Sequence, residues 1–362
     1  MSFGIPVRNG LGIGLRASTA LSTRGGAATA LLQFIAVAHA TSPFITAYPW
    51  SSSTGFGAKF TNPATLPTGQ GNGVAFTPSG NAIAVAHQTS PLITAYPWSE
   101  LGFGTKFTDP ATLPAGLGRS VTFNPAGNAI AVGHDTSPFI TAYAWSGSGF
   151  GTKFTNPATL PSDSGNGVAF SPAGDALAVA HPSLPYVTAY PWSGAGFGTK
   201  FTNPATLPTG GGTSVAFSPV GNAIAIAHDT LPNVSAYPWS SSTGFGVRFT
   251  NVATPPGLTG TGVTFSSAGN AIAVAHTSSP HISIYPWSGS GFGTKFTNPA
   301  TLPTGTGNGV AFNPSANTIA VAHDTSPFVT VYPWSGAGFG TKYADPVTLP
   351  TGGGKSVAFT QI

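Results

Sequence analysis

The chain has no cysteine and very little charge. The absence of cysteine excludes disulfides, Cys-ligated zinc and thiol nucleophiles. Asp, Glu, Lys and Arg make up only 6% of the 362 residues, and the net charge of +4 is too small and dispersed to favour a nucleic-acid partner. Apolar runs stay short of the 18 residues that a membrane-spanning helix needs, so we expect no membrane insertion.

One apolar stretch resembles a secretion signal. Arg24 precedes the sequence AATALLQFIAVA, and Ala38-His39-Ala40 resembles a signal-peptidase site. The segment 35–39 recurs in later parts of the chain, however, and cleavage after Ala40 would remove part of a repeated unit. We therefore expect a strand here rather than a cleaved signal.

A repeat of 47 or 48 residues organises the chain. The seven tryptophans follow this spacing, each with a tyrosine two residues before it: Trp50, Trp98, Trp145, Trp192, Trp239, Trp287 and Trp334. Seven histidines close an AVAH-type motif at the same spacing: His39, His87, His134, His181, His228, His276 and His323. Such a period is typical of repeat architectures in which each unit is one small sheet.

One unit shows four strand signals. They lie at residues 73–76, 82–87, 93–98 and 104–111, and turn residues separate them. In the second signal Ile83 and Val85 alternate with alanines, which predicts an Ile/Val face that packs on the Ala face of a neighbouring unit. Four antiparallel strands in 40–50 residues are typical of a propeller blade.

The pattern therefore predicts an all-β, seven-bladed β-propeller of four-stranded antiparallel blades over residues 31–362. The first unit lacks an initial VAF strand, and the chain ends with an extra one at 356–359. We expect this C-terminal strand to complete the first blade and close the ring. Residues 1–30 lie outside the repeats and are expected to form an extended, Gly-rich cationic arm.

The motif VAFxPxGNAIAVAHxTSPxITAYPW resembles the repeats of WD-repeat proteins and related bacterial seven-bladed propellers. The resemblance implies the blade architecture. Tyr96 and Pro97 stand where that family has Trp-Asp, and its Gly-His is missing, so its hydrogen-bond tetrad is not implied. The near-identity of the units also resembles propeller lectins and repeat proteins of phage virions.

No residue pattern points to catalysis or to a metal. Equivalent histidines on adjacent blades should lie about 10 Å apart, too far to share an ion whose ligand atoms lie about 2 Å away. The acidic residues are scattered, and none occurs before Glu100. We expect no metal, no cofactor and no catalytic residue, and each histidine should form a hydrogen bond near its own blade.

Three positions vary while the frame of the repeat holds. The first precedes the first strand: Asn72, Arg119, Asn166, Thr213, Thr261, Asn308 and Lys355. The second follows the histidine: Ala40, Gln88, Asp135, Pro182, Asp229, Thr277 and Asp324. The third follows the loop proline: Phe44, Leu92, Phe139, Tyr186, Asn233, His281 and Phe328. All three should lie on one face of the disc, and we take the first and third sets as a candidate binding face.

These observations favour a non-enzymatic structural or adhesion propeller, such as a phage virion component of the tail or capsid. Its Gly-rich arm, with Arg8, Arg16 and Arg24, would dock on other subunits of the assembly. The expected location is the virion or the cell surface, with the cytoplasm left open. One alternative is a lectin that binds glycans at repeated aromatic sites. A lesser alternative is a lactonase-like hydrolase at the channel, where the repeats place Asn, Thr, Arg and Lys rather than acids.

Overall fold

The computed structural model describes residues 31–362, and its 26 strands form seven blades around a central channel. The innermost strands are β26 (Gly354–Gln361), β4 (Gly71–Phe76), β8 (Gly118–Phe123), β12 (Gly167–Phe170), β16 (Gly212–Phe217), β20 (Gly260–Phe265) and β23 (Gly307–Phe312). The second strands are β1 (Gln33–His39), β5 (Ala82–His87), β9 (Ala129–His134), β13 (Ala176–Ala180), β17 (Ala223–His228), β21 (Ala271–His276) and β24 (Thr318–His323).

The outer half of each blade follows the same order. The third strands are β2 (Ile45–Ser51), β6 (Ile93–Ser99), β10 (Ile140–Ser146), β14 (Val187–Ser193), β18 (Val234–Ser240), β22 (Ile282–Pro286) and β25 (Val329–Pro333). The fourth strands are β3 (Gly55–Phe56), β7 (Gly102–Phe103), β11 (Gly149–Lys153), β15 (Gly196–Phe197) and β19 (Gly244–Phe245). In blades 6 and 7 a single bridge, from Trp287 to Phe292 and from Trp334 to Phe339, takes the fourth place.

The ring closes inside blade 1, as the sequence predicts. The C-terminal strand β26 pairs antiparallel with β1, with Ala36 opposite Ala358, and β2 and β3 complete that blade. Blades are numbered from this one along the chain, so blade 2 begins at β4. Within residues 31–362 no helix is long and apolar enough to cross a membrane.

The hydrophobic core consists of the seven interfaces between adjacent blades. At the interface of blades 2 and 3, the small face with Ala84 and Ala86 packs against Ile130, Val132 and the large aromatic residues of blade 3. The other interfaces repeat this arrangement. The predicted packing of an Ile/Val face on an Ala face is confirmed, because period-2 alternation gives each strand one large and one small face.

The predicted extent of the fourth strand is wrong. The second blade's fourth strand is Gly102–Phe103, not residues 104–111, which lie outside any strand. Pro97 in the facing strand has no N–H to donate, so regular pairing stops beside Trp98. Blade 3 has Ala144 at this position, and its fourth strand, β11, is the longest at five residues.

Candidate functional site: the channel mouth

The first variable set forms a ring at the entrance of the channel. Each member is the second residue of its innermost strand, except Asn166, which immediately precedes its strand. All seven line the inner space of the channel. A wider cavity of about 470 Å³ opens above it, lined by Gln70, Asn72, Gln88, Leu117, Arg119, Asn166, Thr213, Asn308 and Lys355. We call this cavity and the ring of seven the mouth.

Five members of the ring form a belt of hydrogen bonds from blade to blade. Each side chain donates to the backbone carbonyl of the glycine at the start of the next blade's innermost strand. The bonds run from Asn72 to Gly118 (2.7 Å), Asn166 to Gly212 (3.0 Å), Thr213 to Gly260 (2.6 Å), Thr261 to Gly307, and Asn308 to Gly354 (2.7 Å). Asn and Thr are suited to this task because both carry a short, neutral donor.

Arg119 of blade 3 and Lys355 of blade 1 replace those donors with cations. Among the described residues neither side chain donates to the next blade's carbonyl, which is that of Gly165 for Arg119 and that of Gly71 for Lys355. The two cations lie on either side of Asn72, whose own side chain is held by the belt and by Gln70 (2.9 Å). The part of the chain that the structure describes contributes no carboxylate to the lining. The lining therefore carries two positive charges, which suits an anion, and Asp135 at its edge accepts the backbone N–H of Leu117 (2.8 Å).

The third variable set surrounds the mouth without lining it. Each member follows a cis proline and has a φ of 65–74°, the left-handed region that side chains rarely adopt. Its carbonyl accepts the N–H of the motif histidine, as between Phe44 and His39 (3.0 Å). The side chains are half-buried, and Asn233 is buried. These loops lie at the mouth end of the channel. Gly71, which precedes Asn72, is so close to one of them that an added Cβ would stand 2.5 Å from the Phe44 carbonyl oxygen.

Sequence reasoning missed two residues of the mouth, Gln70 and Leu117. Both lie two positions before the first variable set, where the repeats also differ: the others are Ser164, Gly211, Thr259, Thr306 and Gly353. Aligning the repeats therefore reveals this variable position as well as the other three, so the sequence contains the signal that would have found it. Gln88, from the set that follows the histidine, also lines the mouth.

The seven motif histidines are structural. Each is fully buried, and its Nε2 pairs with the Thr or Ser hydroxyl seven residues later, at 2.9 Å for His134 and Thr141. Burial lowers the pKa of His134 to about 4, and the other six behave alike. The rings are therefore neutral near pH 7. Among residues 31–362 no group of His, Asp and Glu is arranged to hold a metal ion.

Among residues 31–362, a serine–histidine–aspartate neighbourhood in blade 4 resembles a nucleophile site. Ser162 Oγ lies 3.3 Å from Nδ1 of His181, and Ser183 Oγ donates to Asp163 (2.7 Å). Nδ1 of His181 is also 2.8 Å from the carbonyl oxygen of Ser183, which can only accept, so this nitrogen carries the hydrogen. It cannot take a proton from Ser162, whose hydroxyl donates to the Leu184 carbonyl. These hydrogen bonds link neighbouring loops and do not form a catalytic dyad.

The repeated aromatic residues are packed inside the blades. The tryptophans are 3–6% exposed, and Trp145 makes edge-to-face contacts with Phe107, Phe123 and Phe150. Each tyrosine hydroxyl donates to a carbonyl of the preceding blade, as from Tyr143 to Thr112 (2.8 Å). These rings present no open face to a sugar, so the aromatic glycan site expected for a lectin is wrong. Arg8, Arg16 and Arg24 lie outside the described residues.

Comparison with known proteins identifies the fold. No family model and no curated protein matches the sequence. The chain is similar to a solved structure from Bacteroides fragilis whose name provisionally assigns it as a 6-phosphogluconolactonase (TM-score 0.71, 13% identity, 92% of this chain and 98% of that one). A similarly named protein from Bacteroides uniformis gives a TM-score of 0.69 at 13% identity over 91% and 99% of the chains. The periplasmic gluconolactonase of Pseudomonas aeruginosa gives 0.67 at 13% identity over 90% and 99%.

These comparisons correct the expectation of a non-enzymatic virion or adhesion module. The three propellers bear the names of lactone-hydrolysing enzymes, and none of them is a phage protein. The expected virion location finds no support, and one of the three is periplasmic. At 13% identity the likeness shows a shared seven-bladed fold, and the chemistry must be argued from the mouth itself.

Proposed function

We propose that this chain is a lactone hydrolase that opens an anionic sugar lactone at the mouth. The observation that carries the proposal is the replacement of two neutral belt donors by Arg119 and Lys355, which leaves two cations in one cavity. The cavity of about 470 Å³ lies within the usual range for small-molecule sites. The gluconolactonase names of propellers with the same fold support this class of substrate.

The residues of the mouth serve two roles in this proposal: some bind the substrate, and others stabilise negative charge. Asn and Gln side chains around the cations can bind the hydroxyl groups of a sugar ring, since each amide both donates and accepts. Arg119 offers a planar fork of N–H donors to a phosphate or carboxylate, and Lys355 offers a compact positive charge. This division suits a substrate with several hydroxyl groups and at least one anionic group.

A lactone is a cyclic ester, and its hydrolysis builds up negative charge on one oxygen. The oxygen of water adds to the carbonyl carbon, the carbonyl oxygen becomes an oxyanion, and the bond to the ring oxygen then breaks. One proton of the water passes to the ring oxygen, and the new carboxyl group releases the other to solvent. Fixed cations beside the oxyanion lower the barrier, because they are oriented before the charge develops. The lining has no carboxylate or imidazole, so we expect electrostatic rather than acid–base acceleration.

The proposal is tested by measuring proton release from glucono-δ-lactone and from its 6-phosphate in weakly buffered solution. The wild-type protein should accelerate hydrolysis above the spontaneous rate, and the phosphorylated lactone should be the better substrate. R119T and K355N copy the residues of blades 5 and 7 at the same position, so both should fold. Each should lower kcat/KM by about 10²-fold, the effect of removing one group that stabilises an oxyanion.

K153T is the matched control for loss of a positive charge. Lys153 lies at the outer end of blade 3, where its ammonium group donates to Asn156 (2.5 Å), and it is absent from the mouth. The control should hydrolyse both lactones at the wild-type rate. No acceleration by the wild-type protein, or equal losses in K153T and R119T, would overturn the proposal.

The proposal includes a location outside the cytoplasm, after the periplasmic Pseudomonas aeruginosa protein of the same fold. Fractionation of the producing cell tests this part separately. Recovery of the chain with cytoplasmic markers would contradict the location and leave the enzymatic proposal in place.

A further inference from the structure

Two glutamines of blade 2 lie side by side at the edge of the mouth. Gln70 precedes the innermost strand β4, and Gln88 follows the second strand β5, whose last residue pairs with the first residue of β4. The backbone N–H of Gln88 donates to the carbonyl of Gln70 (3.2 Å), and both residues line the cavity of about 470 Å³. We call these two residues the glutamine pair.

The other blades carry different side chains at these two positions. In chain order they are Leu117 and Asp135, Ser164 and Pro182, Gly211 and Asp229, Thr259 and Thr277, Thr306 and Asp324, and, in blade 1, Gly353 and Ala40. The whole chain has four glutamines, and the two outside the mouth, Gln33 and Gln361, face each other at the opposite end of blade 1. Two amides at the mouth are therefore a feature of blade 2 and not of the repeat.

The hydrogen bonds around Gln70 fix the orientation of its amide. The carbonyl of Gly118 can only accept, so Asn72 presents its nitrogen there (2.7 Å) and its oxygen to Gln70. Gln70 must then donate through Nε2 (2.9 Å), which leaves its Oε1 as an acceptor. Asn72 uses both its oxygen and its nitrogen in this arrangement, whereas Gln70 keeps its oxygen for a ligand in the cavity.

Gln88 keeps both a donor and an acceptor. Its side chain is exposed, and within residues 31–362 its amide has no hydrogen-bond partner. The residue at this position in blade 3, Asp135, behaves differently, because it accepts the backbone N–H of Leu117 in its own blade (2.8 Å). The side chain of Gln88 is therefore available to a molecule in the mouth.

The glutamine pair lies in the blade between the two cations. Lys355 belongs to blade 1 and Arg119 to blade 3, and both line the same cavity as the pair. A small molecule whose anionic group is held by these cations presents the rest of its chain to blade 2. Hydroxyl groups match amides, since both donate and accept. A site that hydrogen-bonds hydroxyl groups discriminates against an analogue without them, because its polar groups then lose their partners.

We propose that the glutamine pair determines the specificity of the mouth for polyhydroxylated anions over anions of equal length without hydroxyl groups. Gln88 binds hydroxyl groups through the N–H and the oxygen of its amide, and Gln70 binds through its oxygen. The extension to lactone substrates rests on the proposed function, whereas recognition of a sugar acid does not.

The substitution that tests the pair is Q88A. It copies Ala40 of blade 1 and removes an exposed side chain, so the variant should fold. Q361A is the matched control, because Gln361 lies at the end of β26 far from the mouth. Sodium gluconate and sodium hexanoate are the probes, since they are carboxylates of equal chain length and only gluconate carries hydroxyl groups.

The measurement is a titration of protein labelled with ¹⁵N in its glutamine side chains, which gives four amide signals. The signals missing from Q88A and Q361A identify two of them. Gluconate should shift Gln70 and Gln88 and leave Gln33 and Gln361 in place, and the wild type and Q361A should prefer gluconate to hexanoate by about tenfold or more. Q88A should weaken gluconate about tenfold, the effect of one hydrogen bond, and leave hexanoate unchanged. R119T should weaken both anions.

Equal affinity of the wild type for the two anions, or unchanged gluconate affinity in Q88A, would overturn the specificity assigned to the glutamine pair. Gluconate that fails to bind, or that shifts only Gln33 and Gln361, would overturn it as well. Selectivity for gluconate that Q88A abolishes, in a protein that hydrolyses no lactone, would keep the glutamine pair and remove the hydrolase. Lactone hydrolysis with the same kcat/KM in Q88A as in the wild type would do the reverse.

Discussion

The interfaces between blades and the mouth of the channel are built from the same repeat. Residue types are nearly constant at the interfaces and vary at the mouth. Tyrosine, tryptophan and histidine recur in all seven blades because each is buried in a fixed setting: tyrosine bonds to a carbonyl of the preceding blade, histidine to a hydroxyl of its own blade, and tryptophan packs against phenylalanines. At the mouth the backbone positions are equally regular, but the side chains border the open channel and differ from blade to blade. Residues that vary within a regular frame are therefore the better guide to chemistry in this molecule.

The mouth repeats this contrast on a smaller scale. Five blades use the second position of the innermost strand to tie the ring together, and two use it to present a charge. A belt bond and a free cation cannot come from the same side chain. Blades 1 and 3 therefore give up a stabilising contact where the proposed substrate binds, a trade found at many functional sites.

The largest effect expected of a single substitution is the loss of a repeated aromatic residue. W145A removes a buried indole and its contacts with three phenylalanines, and it should lower the free energy of unfolding by about 3–5 kcal/mol. Urea denaturation followed by circular dichroism measures this. R119T, in the same blade, should change stability by about 1 kcal/mol or less. Equal losses in the two variants would break the contrast between core and mouth.

Acid should destabilise the interfaces before it affects the mouth. Above pH 6.5 the motif histidines are neutral in both the folded and unfolded chains, so they add no pH dependence. Below it the unfolded chain takes up protons while the folded rings, with pKa values of about 4, do not. Stability should therefore fall as the pH drops from 6.5 towards 4, and the seven histidines all act in this direction.

The measurement for this acid effect is the urea midpoint at several pH values between 7 and 4. H134Q removes one of the buried rings, and its stability should fall less steeply with acid than that of the wild type. A wild-type midpoint that stays constant over this range would show that the rings are protonated in the fold, contrary to their burial.

A smaller effect should separate stability from activity at one mouth position. R119T gives blade 3 a hydroxyl that can donate to the Gly165 carbonyl, as Thr213 does to Gly260 (2.6 Å). The free energy of unfolding should rise by up to about 1 kcal/mol, the usual net value of one hydrogen bond, while lactone hydrolysis falls. Urea denaturation and the proton-release assay on the same preparation test both parts. A parallel fall in stability and activity would instead mean that Arg119 is structural.

The smallest expected effect concerns a turn far from the chemistry. Ala316 has a φ of 53° at the position where blades 2 to 6 have glycine, such as Gly80 with a φ of 67°. Because a Cβ is strained in this conformation, A316G should stabilise the protein by about 1 kcal/mol and leave activity unchanged. Thermal unfolding measures this, and G127A should shift it in the opposite direction, because Gly127 has a φ of 67° and an added Cβ there would meet only Pro78, at 3.8 Å.

The sequence predicts the number of blades and the closure of the ring because spacing and alternation are properties of the chain alone. The predicted extent of the fourth strand was wrong because the length of this strand depends on the residue that faces it in the third strand. That residue is Pro97 in blade 2 and Ala144 in blade 3. The ring of Asn72, Arg119 and Lys355 could be found from variation between repeats. Which of these side chains reaches a carbonyl, and which remains a free cation, depends on distances between blades that no single repeat contains.

The function was misjudged for a related physical reason. Sequence reasoning sought paired carboxylates or a nucleophile and, finding none, predicted a module without catalysis. The proposed site uses Arg119 and Lys355, which come from blades 3 and 1 and line one cavity only because the ring closes through the C-terminal strand. A pair of charges of this kind is recognised from the closed ring rather than from a local motif.

The two-residue outer strands also bear on solubility. A protein with only 6% charged residues has little electrostatic repulsion to keep its molecules apart. The outermost strand of a sheet is where another chain can add by hydrogen bonding, and a short, proline-limited edge offers few groups for such pairing. Pro97 and its counterparts thus limit edge-to-edge pairing in a weakly charged chain. Replacing these six prolines by alanine would lengthen six outer edges together and favour sheet-to-sheet association.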